Sequence, residues 1–280
     1  MGIGRSNTKR KKTSWIQLLI IQFRFTIFGL FMLEQILLFF ISTVANIFSA
    51  FAGGGAGLIQ LPVLIFMGLP FSLALATHKV ATVALGVGAT LRIVKEGHIH
   101  WKFSLFMLLS GIPGVVLGAI FIIGVDDRLA QVFLGVLTLS LGLYSIFKPS
   151  LGMGDQPKHR DTQGWILGAG GLLLIGFANG ALSAGTGLFA TMWLVKWFGL
   201  NYKQAVAHTL IAVGLFWNAS GAITMGVIAQ IHWAWLPALL AGSLLGGFIG
   251  AHLAIGMGSK WIKRAYEVVT LVVGIKLILG

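Results

Sequence analysis

The chain has 280 residues, of which 57% are hydrophobic and only 10% charged, with 39 glycines, no cysteine and a formal charge of +13; an ordinary soluble domain carries about 25% charged residues. That balance excludes a soluble globule, a disordered chain, a disulfide scaffold and a zinc–cysteine fold. The apolar runs are too long, and alternate too little, for barrel strands, so an all-α polytopic membrane protein is predicted.

Five basic residues, Arg5, Lys9, Arg10, Lys11 and Lys12, precede the first apolar run, Trp15 to Leu33, which Gln17, Gln22 and Arg24 interrupt. Under the positive-inside rule they predict a cytoplasmic N-terminus, and residues 1–34 read as a basic extension with a further span or an interfacial helix. Glu34 and Gln35 are expected to end that run. Ile36 to Ala52 follows, then the glycine cluster Gly53 to Gly57 and a short run Leu58 to Met67. Three longer runs complete a first repeat over residues 35–147: Phe71 to Val94, Phe103 to Gly124 and Leu129 to Phe147. The polar stretch from Lys148 to Gln163, with Pro149, Pro157, Asp155 and Asp161, reads as an aqueous loop leading into a second repeat, residues 164–280.

The second half repeats the first at a near-constant offset. Gly55-Ala56-Gly57-Leu58 returns as Gly185-Thr186-Gly187-Leu188, Gly68-Leu69 as Gly199-Leu200, and His100-Trp101 as His232-Trp233. Gly114, Gly118 and Gly142 align with Gly246, Gly250 and Gly274. Loop charge is reversed between the halves. Arg92, Lys95 and Lys102 follow the helix of Phe71 to Val94, whereas Lys196 and Lys203 precede its counterpart, and nothing basic lies in Met225 to Trp233. Equivalent loops therefore face opposite sides. The prediction is two inverted repeats with glycine-broken half-helices and about 8 to 9 spans, with the linker inside and the C-terminus outside.

Each glycine cluster lies between a helix-length run and one too short to cross about 30 Å of hydrocarbon. Non-helical backbone at membrane depth is tolerated only where it is buried or lines a wet cavity, and a half-helix starting there offers free N–H groups to an anion. One such cluster alone reads as close helix packing. Two at matched positions make Gly53, Gly54, Gly55, Gly57, Gly185, Thr186 and Gly187 candidate ligands. Thr77-His78 and His208-Thr209 place a hydroxyl and an imidazole at the same turn of each repeat, so each pair either donates to cargo and shuttles a proton or bonds a neighbouring helix carbonyl. Lys79 is either a cargo-attracting charge or a side chain reaching for the interface. Asn46 and Asn179 precede the two breaks and are candidates to line the same cavity; Asn218 and His252 read as packing contacts. Lys276 reads as reaching the surface, and Trp101, Trp165, Trp193, Trp197, Trp233 and Trp235 as interfacial anchors.

No P-loop, nucleophile elbow, HExxH or carboxylate pair is present, so neither an enzyme site nor a cofactor is expected. The basic residues are spread over loops without stacking aromatics, which excludes nucleic acid as the partner. The expected partners are the lipid bilayer and a small anion, driven by a proton or ion gradient or by the cargo's own.

The order Gly53-Gly54-Gly55-x-Gly57 to Pro62, Gly68-Leu69-Pro70, Ala74-x-x-Thr77 and Gly97-His98-Ile99-His100-Trp101 resembles the TauE/SafE sulfite-exporter family of membrane permeases. Asn179, Gly185-Thr186-Gly187, Ala205-x-x-His208-Thr209 and Ile231-His232-Trp233 resemble its second repeat. The resemblance covers roughly residues 35–280. It implies a multi-pass protein of the bacterial plasma membrane that moves small sulfur-containing anions such as sulfite or organosulfonates, commonly outward. Two departures stand out: the N-terminal 34 residues are an extension, and Ser183-Ala184 stand where a fuller glycine cluster is expected. The alternatives are a permease for another small ion or metabolite and a membrane partner protein that transports nothing.

Overall fold

The computed structural model describes the backbone of residues 6–96, 99–122 and 127–279. The side chains of Trp15, Gln17, Gln22 and Arg24, the N-terminal residues through Arg5, and the pair Gly97-His98 lie outside the described residues. All the regular structure described is helical: α1 (Ser6–Ala52), α2 (Gln60–Phe66), α3 (Phe71–Val94), α4 (Trp101–Phe121), α5 (Asp127–Ile146), α6 (Thr162–Leu182), α7 (Thr186–Lys196), α8 (Tyr202–Ile228) and α9 (Leu236–Leu279). Six of the described helices are long and apolar enough to cross a bilayer. Helix is the only open-ended element that satisfies its own backbone in hydrocarbon, which is why so apolar a chain takes it almost throughout.

One feature departs from the sequence expectation. α1 runs unbroken through Glu34 and Gln35, so no turn forms there. A charged or amide side chain does not end a helix when neither glycine nor proline accompanies it, and Gln35 instead donates to the Ala234 carbonyl at 3.0 Å. The 44 residues of α9 would extend about 66 Å if straight, and Gly258, with φ 76° and ψ 174°, bends it into two. That backbone conformation belongs to glycine almost alone.

Contacts between helices order the bundle. At one end the linker is fastened: Asn201 takes Asp155 through its main-chain N–H and its amide, Gln156 N–H donates to Gly199, and Lys196 lies 4.2 Å from the Tyr144 ring centre. Lys263 closes the same end, donating to the Ser145 and Lys148 carbonyls and pairing with Glu267 at 2.8 Å. The opposite end gathers Leu38, Leu61, Leu64, Leu69, Met225 and Trp235 in one apolar cluster. Arg128 there donates to the last carbonyls of α9, at Leu277 and Ile278, a favourable position for a cation at a helix C-terminus.

Small residues set how closely these helices approach. A side chain at Gly114 or Gly118 of α4 would run into the α6 backbone at Leu173 and Phe177; one at Gly246 or Gly250 of α9 would run into α1 at Thr43 and Ile47. Gly142 of α5 packs on Thr270 of α9, and Gly274 of α9 packs on Leu139 of α5. Of the six expected tryptophan anchors, Trp101 and Trp233 are exposed and Trp235 is buried. Trp193 and Trp197 instead donate to the Gly168 and Gly164 carbonyls, holding α7 on α6, and Gly171 leaves room for the Trp193 ring and Gly168 for the Trp197 ring nitrogen.

Candidate functional site

Both glycine clusters form as backbone breaks at the ends of long helices. Gly53, Gly54 and Gly55 have φ of 87°, 145° and 109°, after which a single turn, Ala56–Leu58, leads into the seven-residue α2. After α6, Ser183 takes φ 59° and Gly185 φ 74° before the eleven-residue α7. Ser183 thus holds a positive φ, with ψ −43°, without being glycine, at the position matching Gly53. Such a residue costs roughly 1–3 kcal/mol, so the missing glycine is absorbed as strain while the break itself is kept.

The two breaks touch. A Cβ on Gly54 would lie 2.5 Å from Gly187 Cα, and one on Gly57 would lie 3.0 Å from Ala184 Cα. Between them is a cavity of about 30 Å³. Nine of the twelve candidate residues line it: Gly53, Gly54, Gly55 and Gly57 from the first break, Asn179, Thr186 and Gly187 from the second, and His78 and Thr209 from α3 and α8. Three do not. Gly185 caps α7 just behind the wall. Thr77 donates to the Leu73 carbonyl at 2.7 Å and accepts from the His232 N–H, which fixes it at the end opposite the linker. His208 Nδ1 lies 2.7 Å from Ser104 Oγ and faces a second, wider cavity of about 500 Å³ at the linker end, with Glu96, His100, Lys203 and Gln204.

The wall also holds residues that motif spacing did not single out. Ser49 is one, although it is the repeat counterpart of Asn179 under the offset that relates Gly55 to Gly185. Thr82 and Ser183 line it too, as does Asn218, which had read as a packing contact. Asn46, expected beside the break, lies elsewhere: it donates to the Ser42 carbonyl and to Ser243 Oγ, joining α1 to α9. A helix repeats its direction every 3.6 residues, so seven positions before a break and four before it point to the same face only when the helix ends where assumed.

Lys79 is fully buried, and its Nζ donates to the main-chain oxygen of Asn179 at 2.6 Å. The ion pairs among the described residues are Arg92–Glu96 and Lys263–Glu267, so Lys79 has no carboxylate partner there. At the linker end, Arg160 lies 5.2 Å from the Phe103 ring centre and 5.3 Å from that of Phe198, and the Phe103 ring backs His208 at 5.1 Å. Partial burial lowers the Arg160 pKa from its ordinary value, and nearby Asp155 pulls it back up. In α8 the stretch Leu210–Trp217 is π-helical, and Leu210, Val213 and Gly214 of that stretch face the cavity. Such widened turns recur at functional sites.

Residues 38–277 match the family model described as Sulfite exporter TauE/SafE. The chain belongs to the TauE/SafE sulfite exporter family. It is similar to a "Probable membrane transporter protein" of Haemophilus influenzae, 28% identical over 86% of this chain and 93% of that one. A Sinorhizobium relative, "Probable membrane transporter protein ORF9", is 30% identical over 86% of this chain and 91% of its own length. "Probable membrane transporter protein YfcA" of Escherichia coli is 27% identical over 89% and 93%. No solved structure matches. The TauE/SafE chain described here is accordingly a multi-pass bacterial membrane transporter.

Proposed function

We propose that this transporter moves a small sulfur-containing oxyanion, such as sulfite or a short organosulfonate, out of the cell across the inner membrane. The observation that carries the reading is the cavity between the two glycine breaks. At about 30 Å³ it has room for a few heavy atoms, far less than the roughly 300–1,000 Å³ of a site for a larger organic ligand. Its wall presents the start of α7, where the first N–H groups have no helical partner, together with the hydroxyl of Thr209. Buried Lys79, bonded to Asn179, has no carboxylate among the described residues to offset its charge; an anion next door would do so.

The architecture in this reading is an inverted repeat. Supporting it, α4 of the first half packs on α6 of the second through Gly114 and Gly118, and α9 packs on α1 through their counterparts Gly246 and Gly250. The same exchange relates Gly142 on Thr270 to Gly274 on Leu139. Eight long membrane helices follow when α9 is counted as two and α5 as one, with α2 and α7 turning back from the breaks to the ends that α1 and α6 entered from. Arg92, Lys95, Lys102, Lys148, Lys158, Lys203 and Lys260 all belong to segments at the linker end, which the positive-inside rule assigns to the cytoplasm. The wide cavity beside His208 then opens toward the cytoplasm, as loading for export requires.

Flux of radiolabelled sulfite, with a panel of small sulfonates and carboxylates, through proteoliposomes with and without a pH gradient tests this. Saturable anion movement is expected, faster for sulfite than for carboxylates. Silence across the panel from folded, oriented protein would overturn the reading.

A further inference from the structure

We propose that the cargo of this site carries a hydrogen-bond donor among its oxygens, so that the species moved is a protonated monoanion such as bisulfite and not a bare oxyanion. The inference rests on the anion reading above and narrows its substrate class. It comes from two chains of hydrogen bonds that leave acceptors, and not donors, on the cavity wall.

The first chain fixes Asn179. Thr186 Oγ1 gives its single proton to the Ser183 carbonyl at 2.9 Å. The amide atom of Asn179 that lies 2.9 Å from Thr186 Oγ1 must therefore be the donor, Nδ2. Its other contact, at 3.5 Å, is Asn218 Oδ1, and Asn218 spends its own Nδ2 on the Gly214 carbonyl. Both arguments turn Asn179 Oδ1 the other way. That oxygen is buried and has no partner, in a residue that lines the cavity and is only 1% exposed. A buried amide oxygen without a donor costs about 1–3 kcal/mol, which an occupant carrying a proton would relieve.

The second chain fixes His78. Ser42 Oγ donates to the Leu239 carbonyl at 2.8 Å and accepts from Gln60 Nε2 at 2.9 Å. Gln60 therefore turns Oε1 toward His78 Nδ1, 2.8 Å away, and Nδ1 must hold the ring's proton to make that bond. In the neutral ring Nε2 is then a bare acceptor. It lies at Gly57 on the cavity wall, where a Cβ would come within 2.9 Å of it. A histidine expected to donate to an anion is wired to accept from it.

A fully deprotonated oxyanion would meet two lone pairs beside the main-chain N–H groups that attract it. An anion retaining one proton satisfies both kinds of group, and a site built to bond a substrate O–H rejects an analogue lacking it. The closest such pair is bisulfite and methanesulfinate, monoanions of similar shape in which a methyl group stands where the hydroxyl is. The test compares their initial rates in proteoliposomes at a pH below the second ionisation of sulfurous acid, after subtracting flux into protein-free vesicles. Bisulfite is expected to move at least about tenfold faster. In His78→Asn, whose side-chain N–H still reaches Gln60 but which lacks Nε2, the preference is expected to shrink severalfold. Equal rates for the two anions in the parent protein, or an unchanged preference in His78→Asn, would overturn the inference and leave the anion reading standing. Movement of neither would overturn both.

Discussion

At the residue scale the decisive contact is Gly54 against Gly187. Gly54 has φ 145°, and a Cβ there would meet the α7 backbone at 2.5 Å; backbone cannot swing aside as a flexible side chain can. Gly185 also has positive φ, but a Cβ on it meets only Leu58 and Thr138 at 3.6 Å, ordinary contact distance. Gly54→Ala is therefore expected to abolish flux, while Gly185→Ala pays only the conformational cost of roughly 1–2 kcal/mol and keeps a measurable rate; proteoliposome uptake of the two variants checks the contrast. Lys79 supports a second prediction. Its Nζ is 2.6 Å from the Asn179 carbonyl and makes no ion pair among the described residues. Lys79→Gln keeps a donor for that carbonyl but removes the charge, so the KM for the anion is expected to rise about tenfold or more, read from the concentration dependence of uptake.

At the element scale, α3 and α8 cross where Gly86 lies on the backbone of Gly214 and Leu215, within the π-helical stretch of α8. A methyl group there would collide with backbone on the facing helix. Alanine is the better helix former by about 1 kcal/mol, so helix propensity alone predicts that Gly86→Ala stabilises. Packing predicts the reverse, a loss of about 1–3 kcal/mol from overpacking, seen as a lower melting temperature in detergent. The sign of the shift decides between them. The π stretch was not legible in the sequence, since Leu210 to Trp217 is a plain apolar run. Within it Trp217, fully buried, sets its ring against Gly111 of α4 while Gly214 lies on Gly86.

At the scale of the whole molecule the proposed inverted repeat predicts that the two ends of the bundle face opposite sides of the membrane and differ in charge. The chain has no cysteine, so single cysteines report sidedness without background. Gln204→Cys, in the wide cavity at the linker end, and Lys158→Cys in the linker are expected to react with a membrane-impermeant maleimide from the cytoplasmic side only. Ile231→Cys, beside His232 at the other end, is expected to react from the outside only. Labelling of vesicles of both orientations checks this, and one-sided reaction of all three positions would contradict the inverted topology. The small cavity lies between two breaks that enter from opposite ends, α1 from the Ala234 end and α6 from the linker end. That is the arrangement in which one site can face either side in turn.

The sequence by itself determined that the chain is helical and built for lipid, which family it resembles, and that two glycine clusters interrupt its helices. These follow from composition, run length and the order of small residues, properties that tertiary contacts do not alter. It also suggested the proposed repeat, because glycines that let helices touch must recur wherever such a contact recurs. The tertiary structure decided which polar residues share the cavity. Thr77 and His208 stand one position from His78 and Thr209 yet face other neighbours, and Asn46 and Asn218 exchanged their expected roles. A residue's direction depends on helix rotation and on where each break begins, and α1 kept its helix through Glu34 and Gln35 where the polar residues suggested a stop. Whether His78 offers a proton or a lone pair depended on Gln60 and Ser42, partners that only the packed bundle brings to it.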